Sequence, residues 1–530
     1  MTAPAAPAPA VPGMITLSVE GRTVSVPPGT SILEAAKHAG VLVPHYCYHP
    51  SLPVAGVCRM CLVEVEKFPK LAPACATAVG EGQVVHVHSE KAREARKGVL
   101  EFLLINHPLD CPICDQAGEC ELQDYTFAEG RKDSRYLEPK RFNPMEDFGG
   151  DVLYVPNRCI LCTRCVRFMD TVAHEPVLNV SERGDRAFIG IHEGQGLTHE
   201  WAGNVVDLCP VGALLSKDFL NKARAWELDR TASVCTGCSQ GCNMMIETRD
   251  ETVVRLRPRP NAEVNAHFMC NTGRLGYRTL NRRDRLEYPM ARGDGALGTT
   301  DWMGAITVAA ARLRGAGRVV VLASPSLSNE ALFVLGAIAD AVAAEKRYVL
   351  ERGPEAPLAG VRDLALRAER AANHTGATLF GFAEVADPFA GLGAGDVLLA
   401  ADELLAAWPG ATLPAGVTVV VAGTVLPGWA AAATVAALPT ASYAEQEGTL
   451  TNLRGRVQRF LQATTPPGQA RPTHLVLGEL AAALGVARPA PTAGAVFDRL
   501  AETVPAFAGL RWAKLGLRGL PILADAGAPA

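Results

Sequence analysis

Fifteen cysteines, none of them after Cys270, divide into groups whose spacing constrains the first half of this 530-residue chain to loops gathered around metal. The first group is Cys47, Cys58, Cys61 and Cys75, spaced C-x10-C-x2-C-x13-C. The second, Cys111, Cys114 and Cys120, is one ligand short, and His107 completes it as H-x3-C-x2-C-x5-C. The third is Cys159, Cys162, Cys165 and the remote Cys209; the fourth is Cys235, Cys238, Cys242 and Cys270, spaced C-x2-C-x3-C-x27-C. Four such sets point to iron–sulfur centres held by thiolates.

Composition narrows the class further. A hydrophobic fraction of 48% with 20% charged residues is that of a folded, soluble protein. A net charge of −4 supplies no basic field for nucleic acid. The local basic run Lys91–Lys97 is expected to be a solvated helix face. Met1–Pro12 is an Ala-Pro stretch without the charged and apolar regions of a secretory signal, and residues 1–13 are expected to form a disordered tail. The most apolar stretch, Val417–Leu438, is interrupted by Gly423, Pro427 and Gly428; it is expected to be strand, turn and helix, not a bilayer span. A chain that stays in a reducing compartment uses grouped cysteines for metal or catalysis more than for disulfides.

Alternation over Ile15–Val19 and Thr23–Val26 around Glu20-Gly21-Arg22 predicts a hairpin. Ser31 and Glu34 form a capping box for a helix that Gly40 stops. Segments at Cys61–Glu66 and Val84–Val87 complete a small mixed sheet whose strand order is similar to that of a plant-type ferredoxin. Lys91–Ile105 has helical spacing broken at His107-Pro108, which places the second group on a loop. Residues from Arg135 to Phe148 read as a linker. Alternating segments at Met244–Thr248 and Val253–Leu256 lie between the parts of the fourth group. Beyond residue 290, apolar runs at Arg318–Ala323, Asp396–Ala400 and Val417–Ala422 alternate with helical segments such as Glu330–Ala344 behind Ser328, the pattern of an α/β domain with a largely parallel sheet.

The chemistry differs between groups. Plant-type 2Fe-2S sites use C-x4-C-x2-C with a distant fourth cysteine; here the first gap is ten, but Cys58, Cys61 and Cys75 keep the pattern, with zinc as the alternative. Three thiols within seven residues, followed later by Cys209-Pro210, suit three corners of a 4Fe-4S cube. His107 is the nearest donor for the incomplete set, since a neutral imidazole can ligate iron. His45, His49, His86 and His88 flank no incomplete set and are read as structural. The fourth group alone is compatible with zinc or a 4Fe-4S cube.

Taken together, Val43–Cys47, His107–Asp115, Gly118–Asp124, Arg158–Arg167 and Gly203–Leu214 resemble the family of large iron–sulfur subunits (75 kDa-type) of respiratory complex I, continuously from about residue 14 to 290. The resemblance implies a 2Fe-2S centre on the first group and 4Fe-4S centres on the second, with His107 as an unusual ligand, and on the third. It also implies an extra, structural 4Fe-4S centre on the fourth, off the main electron path. Tyr443–Gln458 resembles the molybdopterin-oxidoreductase fold, but that region is short and offers no later cysteine for molybdenum, so no functional molybdopterin is expected.

The expected architecture is multidomain α+β and α/β. A plant-type 2Fe-2S ferredoxin (β-grasp-like) domain spans 14–93, a 4Fe-4S segment with one histidine and three cysteines spans 94–134, and a 4Fe-4S ferredoxin-like domain spans 135–228. A 4Fe-4S module of molybdopterin-oxidoreductase type spans 229–290, and a shortened, degenerate domain of that fold spans 291–530. The resemblance implies an electron relay in NADH-quinone oxidoreductase, with no catalytic residue and no NADH or quinone site in this chain. Its implied partners are a flavin subunit that oxidises NADH and a ferredoxin-like 4Fe-4S subunit of the peripheral arm, on the cytoplasmic side of a bacterial inner membrane without insertion into it. The other readings are the iron–sulfur subunit of a formate dehydrogenase or soluble NAD-linked hydrogenase, and a zinc-stabilised scaffold.

Overall fold

The computed structural model describes residues 13–293, 295–402 and 412–522; the Ala-Pro stretch 1–12 lies outside the described residues. The chain divides into two compact units, one of residues 1–227 with 358–362, the other of 228–357 with 363–530.

In the first unit, β1 (Ile15–Val19) and β2 (Arg22–Val26) form the expected hairpin, with Glu20 and Gly21 at positive φ in its turn. Helix α1 (Ile32–His38) starts at Ser31, whose hydroxyl accepts from the Glu34 amide at 3.2 Å, and Gly40 follows it at φ +69. The capping box is only half made. Glu34 accepts a 2.8 Å hydrogen bond from the Tyr48 hydroxyl, and its carboxylate serves the first cysteine loop instead of the helix N-terminus. With β3 (Leu62–Val65), β4 (Ala72–Pro73) and β5 (Val84–His86) the sheet runs β2-β1-β5-β3-β4, and β1 pairs with β5 in parallel. Its core, including Leu17, Val19, Ile32, Val63 and Val85, contains Cys61 and Cys75, so burying that apolar face also fixes two thiols.

Helix α2 (Glu90–Leu104) follows from Ser89. Its basic run is not wholly solvated: Arg96 is fully buried, donates to the carbonyls of Leu62 (3.2 Å) and Val87 (2.9 Å), and pairs with Glu129 of α3 (Glu121–Glu129). A buried guanidinium calls for acceptors; the Leu62 and Val87 carbonyls serve Nη1 and Glu129 serves Nε, while Nη2 has no hydrogen-bond partner. The expected linker carries one short strand, Glu146–Asp147, in a three-stranded sheet with Val152–Tyr154 and Leu214–Ser216.

The second unit opens with an antiparallel sheet of Asp229–Val234, Asn243–Arg249 and Thr252–Pro258. Beyond it lies an eight-stranded sheet. Six of its strands run parallel, namely Thr434–Pro439, Thr418–Gly423, Val397–Asp402, Val319–Ala323, Glu345–Tyr348 and Ala383–Glu384. Met290–Arg292 and Leu297–Thr299 extend it antiparallel. The central strands are apolar on both faces: the helices Trp302–Gly315 and Asn329–Ala341 cover one, and Leu286, Phe389, Leu392 and Ala430 pack on the other. The helix expected behind Ser328 stops at Ala341, since Ala343 turns to φ +50 ahead of Glu345–Tyr348. The helix expected within Val417–Leu438 does not form: Pro427 and Gly428 lead through turns into the strand Thr434–Pro439. Among the described residues no helix is long and apolar enough to cross a membrane.

Candidate metal centres

The first thiol set sits on the ferredoxin-like sheet and the loop before it. Cys47, Cys61 and Cys75 are buried, Cys58 is half-buried, and the Cys47 amide points at Cys58 Sγ from 3.4 Å. The thiols contact one another in series: Cys58 and Cys75 donate to Cys47 and hold it far below the usual thiol range, and Cys75 lowers Cys61. The donors, Cys58 and Cys75, are pushed up correspondingly. Four sulfurs in one network, three of them buried, form a donor set suited to a small iron–sulfur core.

The third set lines one cavity, with Cys159, Cys162, Cys165 and Cys209 sharing its walls with Tyr154, Ile189 and Val211; Cys162 and Cys165 are buried and Cys159 and Cys209 half-buried. Leu161 and Thr163 have positive φ (53 and 60), and these left-handed residues wind the short C-x2-C-x2-C loop tightly. The Leu161 amide approaches Cys159 Sγ at 3.4 Å, and the amides of Val211, Leu214 and Ala213 serve Cys209. Burial pushes Cys159 up to about 11 and Cys162 up to about 12, and Cys165 is raised by burial and by the three other thiols. Thiols facing a common, poorly solvated space favour their neutral form; a cluster held by Cys159, Cys162, Cys165 and Cys209 would replace their protons, and the amides would stabilise the sulfur charge.

The fourth set is wholly buried. The Cys235 amide donates to the Cys242 carbonyl at 2.8 Å, Gly237 N points at Cys235 Sγ (3.5 Å) and Gly273 N at Cys270 Sγ (3.3 Å). Burial pushes Cys235 up to about 12, and Cys242 is raised by burial and then by Cys238, Cys235 and Cys270. Gly273 leaves a gap that a Cβ would fill, 3.1 Å from Cys235 Sγ and 3.3 Å from Cys270 Sγ. The hairpin within Tyr443–Gln458 braces this loop: Leu453 N donates to Ser239 O (2.9 Å), Gln458 Nε2 to Gly241 O (2.8 Å) and Asn452 Nδ2 to Gln240 O (3.3 Å).

The second set is the most open. Cys114 is buried, Cys120 half-buried, and Cys111 exposed between Leu109 and Ile113, themselves 88% and 69% exposed. Burial raises Cys114 and pushes Cys120 up to about 11; Cys111 acts on Cys114, and Cys114 and Cys209 act on Cys120. Gly212 packs on Cys114, where a Cβ would collide with the sulfur. The groups acting on His107 are Lys140, Arg158 and Asp110, none of the three thiols among them. Burial, then Lys140 and Arg158, push its imidazole down to about 4, which leaves it neutral, and its buried Nδ1 has no hydrogen-bond partner. A neutral, orphaned ring nitrogen suits ligation. Among the described residues no three His, Cys, Asp or Glu side chains converge in the manner of a single-ion site.

Two arginines missing from the sequence-based site join these sets. Arg164 Nη2 donates to Tyr48 O (2.9 Å), and its Nη1 to Leu208 O and Glu121 Oε1 (both 3.2 Å). Arg167 Nη2 donates to Cys47 O (2.5 Å) and Cys162 O (3.2 Å). Both lie inside Arg158–Arg167, where the alternation of arginine with cysteine was the available signal.

These modules define the class: ferredoxin-like iron–sulfur binding domains followed by a domain of molybdopterin-oxidoreductase type. Residues 13–90 match the 2Fe-2S iron-sulfur cluster binding domain, 96–135 the NADH-ubiquinone oxidoreductase-G iron-sulfur binding region, and 149–215 the ferredoxin-like domain of NADH-quinone oxidoreductase subunit 3. Residues 228–282 match the molybdopterin oxidoreductase Fe4S4 domain and 414–483 the molybdopterin oxidoreductase family. The NADH-quinone oxidoreductase G-subunit of Rickettsia bellii is 41% identical over 324 residues, 61% of this chain and 47% of the relative. The mitochondrial NADH-ubiquinone oxidoreductase 78 kDa subunit of Candida albicans is 44% identical over 299 residues, 56% of this chain and 41% of the relative. A chain of an NAD+-reducing [NiFe]-hydrogenase, solved in the H2-reduced state, is similar at a TM-score of 0.36 and 29% identity, over 39% of this chain and 90% of that one. The chain is similar to these NADH-quinone oxidoreductase G subunits and spans about half the length of the curated relatives it matches.

Proposed function

We propose that this chain is an electron-relay subunit of an NADH-quinone oxidoreductase. The 2Fe-2S set is Cys47, Cys58, Cys61 and Cys75; the 4Fe-4S sets are His107 with Cys111, Cys114 and Cys120, then Cys159, Cys162, Cys165 and Cys209, then Cys235, Cys238, Cys242 and Cys270. Bound clusters supply one-electron chemistry, and the protein contributes ligands, burial and hydrogen bonds to sulfur. The carrying observation is that the first three thiol sets lie in one compact unit and are joined by Arg164 and Arg167. Electrons would enter from a flavin subunit that oxidises NADH and leave to a ferredoxin-like 4Fe-4S subunit, on the cytoplasmic side of the membrane. The fourth set is structural: its loop is braced by the neighbouring hairpin, and the domain beyond is a scaffold without molybdopterin.

EPR-monitored reductive titration with iron analysis of the anaerobically purified chain tests this. Four centres and about 14 iron per chain are expected. A folded, colourless protein without iron refutes it; one that binds only zinc returns the scaffold reading.

A further inference from the structure

We propose that Arg167 is a positioning residue that couples the first and third thiol sets, tuning both potentials and bridging them by a single guanidinium. The inference rests on the relay reading above.

One nitrogen, Nη2, donates to the carbonyls of Cys47 and Cys162, so a single atom spans ligand residues of two different sets. The remaining donors fix the fork: Nη1 bonds the Pro53 carbonyl in the first loop, and Nε donates to Thr163 Oγ1 at 3.2 Å in the third. Arg167 ends the short helix Arg164–Arg167, which then widens into the π-turn Phe168–Val172, so its side chain is aimed by the third cysteine loop itself. Arg164 holds the same two loops one turn earlier, through Tyr48 O beside Cys47 and Leu208 O beside Cys209, with Glu121 as its counter-charge.

Three physical consequences follow for a charge in this position. Arg keeps its proton under all working conditions, so its charge is permanent. A reduced cluster carries one more negative charge than the oxidised one, and a nearby cation in a poorly solvated site stabilises the reduced form, which raises the potential. Because the guanidinium faces both ligand backbones, it raises both. Its hydrogen bonds also replace a through-space gap between Cys47 and Cys162 by a short bonded path, carbonyl to N–H to carbonyl. Lysine offers charge but no rigid fork with which to reach four acceptors in fixed directions.

The test is EPR redox titration of the full chain carrying Arg167→Gln, with the second centre's signal identified by its loss in His107→Ala. Both the first and third centres are expected to move to more negative midpoints, with the second and fourth unchanged; Arg167→Lys should return both part of the way. Movement of only one centre, or of neither, overturns the proposal. Should the Gln protein lose iron from either set, the Lys protein decides: its spin–spin interaction between the two centres must be weaker than in the parent chain, and an unchanged interaction overturns the proposal. A parent chain without iron would instead defeat the relay reading, an outcome visible before any Arg167 variant is made.

Discussion

Glu330 is buried in the first turn of the helix Asn329–Ala341, and replacing it with glutamine isolates how that burial acts. Its Oε2 accepts from the Thr449 amide (3.0 Å) and its Oε1 from the Thr449 hydroxyl (2.8 Å). Burial nevertheless dominates these hydrogen bonds and raises the carboxyl from its ordinary 4.5 to about 7. The folded state therefore holds a proton that the unfolded chain releases between those values. Stability is greatest below the unfolded value and is lost as pH rises through the folded one. Full ionisation costs about 3 kcal/mol, and between pH 5 and 8.5 the loss is about 2–3 kcal/mol, on the order of a hundredfold in the opening equilibrium. Hydrogen exchange by mass spectrometry on a peptide spanning the helix, corrected for intrinsic pH dependence, reads this directly. In the parent chain protection should fall by that factor over the interval; in Glu330→Gln, which stays neutral, it should hold nearly constant. Parallel curves for the two proteins would refute the argument, since they would leave the carboxyl no part in the pH dependence.

Three further outcomes are expected. Arg96→Met strands the Leu62 and Val87 carbonyls and Glu129, and urea unfolding followed by proteolysis of the ferredoxin-like domain should show a loss of about 3 kcal/mol, partly recovered by adding Glu129→Gln. Gly273→Ala places a methyl 3.1 Å from Cys235 Sγ and Met269 Cε; because metal–ligand distances tolerate only about 0.2 Å, iron analysis and EPR should show selective loss or perturbation of the fourth centre. His107→Ala should abolish or shift one 4Fe-4S signal alone, and an unchanged set of signals and potentials would remove His107 from the ligands.

Much of the fold follows from local signals. Alternation around Glu20-Gly21 marks the first hairpin, and three apolar runs mark parallel strands, because turn residues and burial act over a few residues. What local pattern misses depends on distant partners. Arg96 sits in a basic run that reads as a wet surface, yet two carbonyls from other segments draw it inside. Glu34 has the spacing of a capping residue, and Tyr48, fourteen positions on, captures its carboxylate. Thr434–Pro439 is apolar enough for helix or strand, and pairing with Thr418–Gly423 selects strand. At the site, cysteine spacing groups the thiols, but spacing is silent on what holds one group against another, so Arg164 and Arg167 emerge only in three dimensions.

The uneven shielding of the thiols sets the order in which this chain would be damaged. Peroxide and dioxygen attack sulfur according to access, and Cys111 stands in the open while all four thiols of the fourth set are buried. Ageing in air would therefore begin at Cys111 and advance inward, so an oxidised preparation would lose the second set first and keep the buried, hairpin-braced fourth set longest.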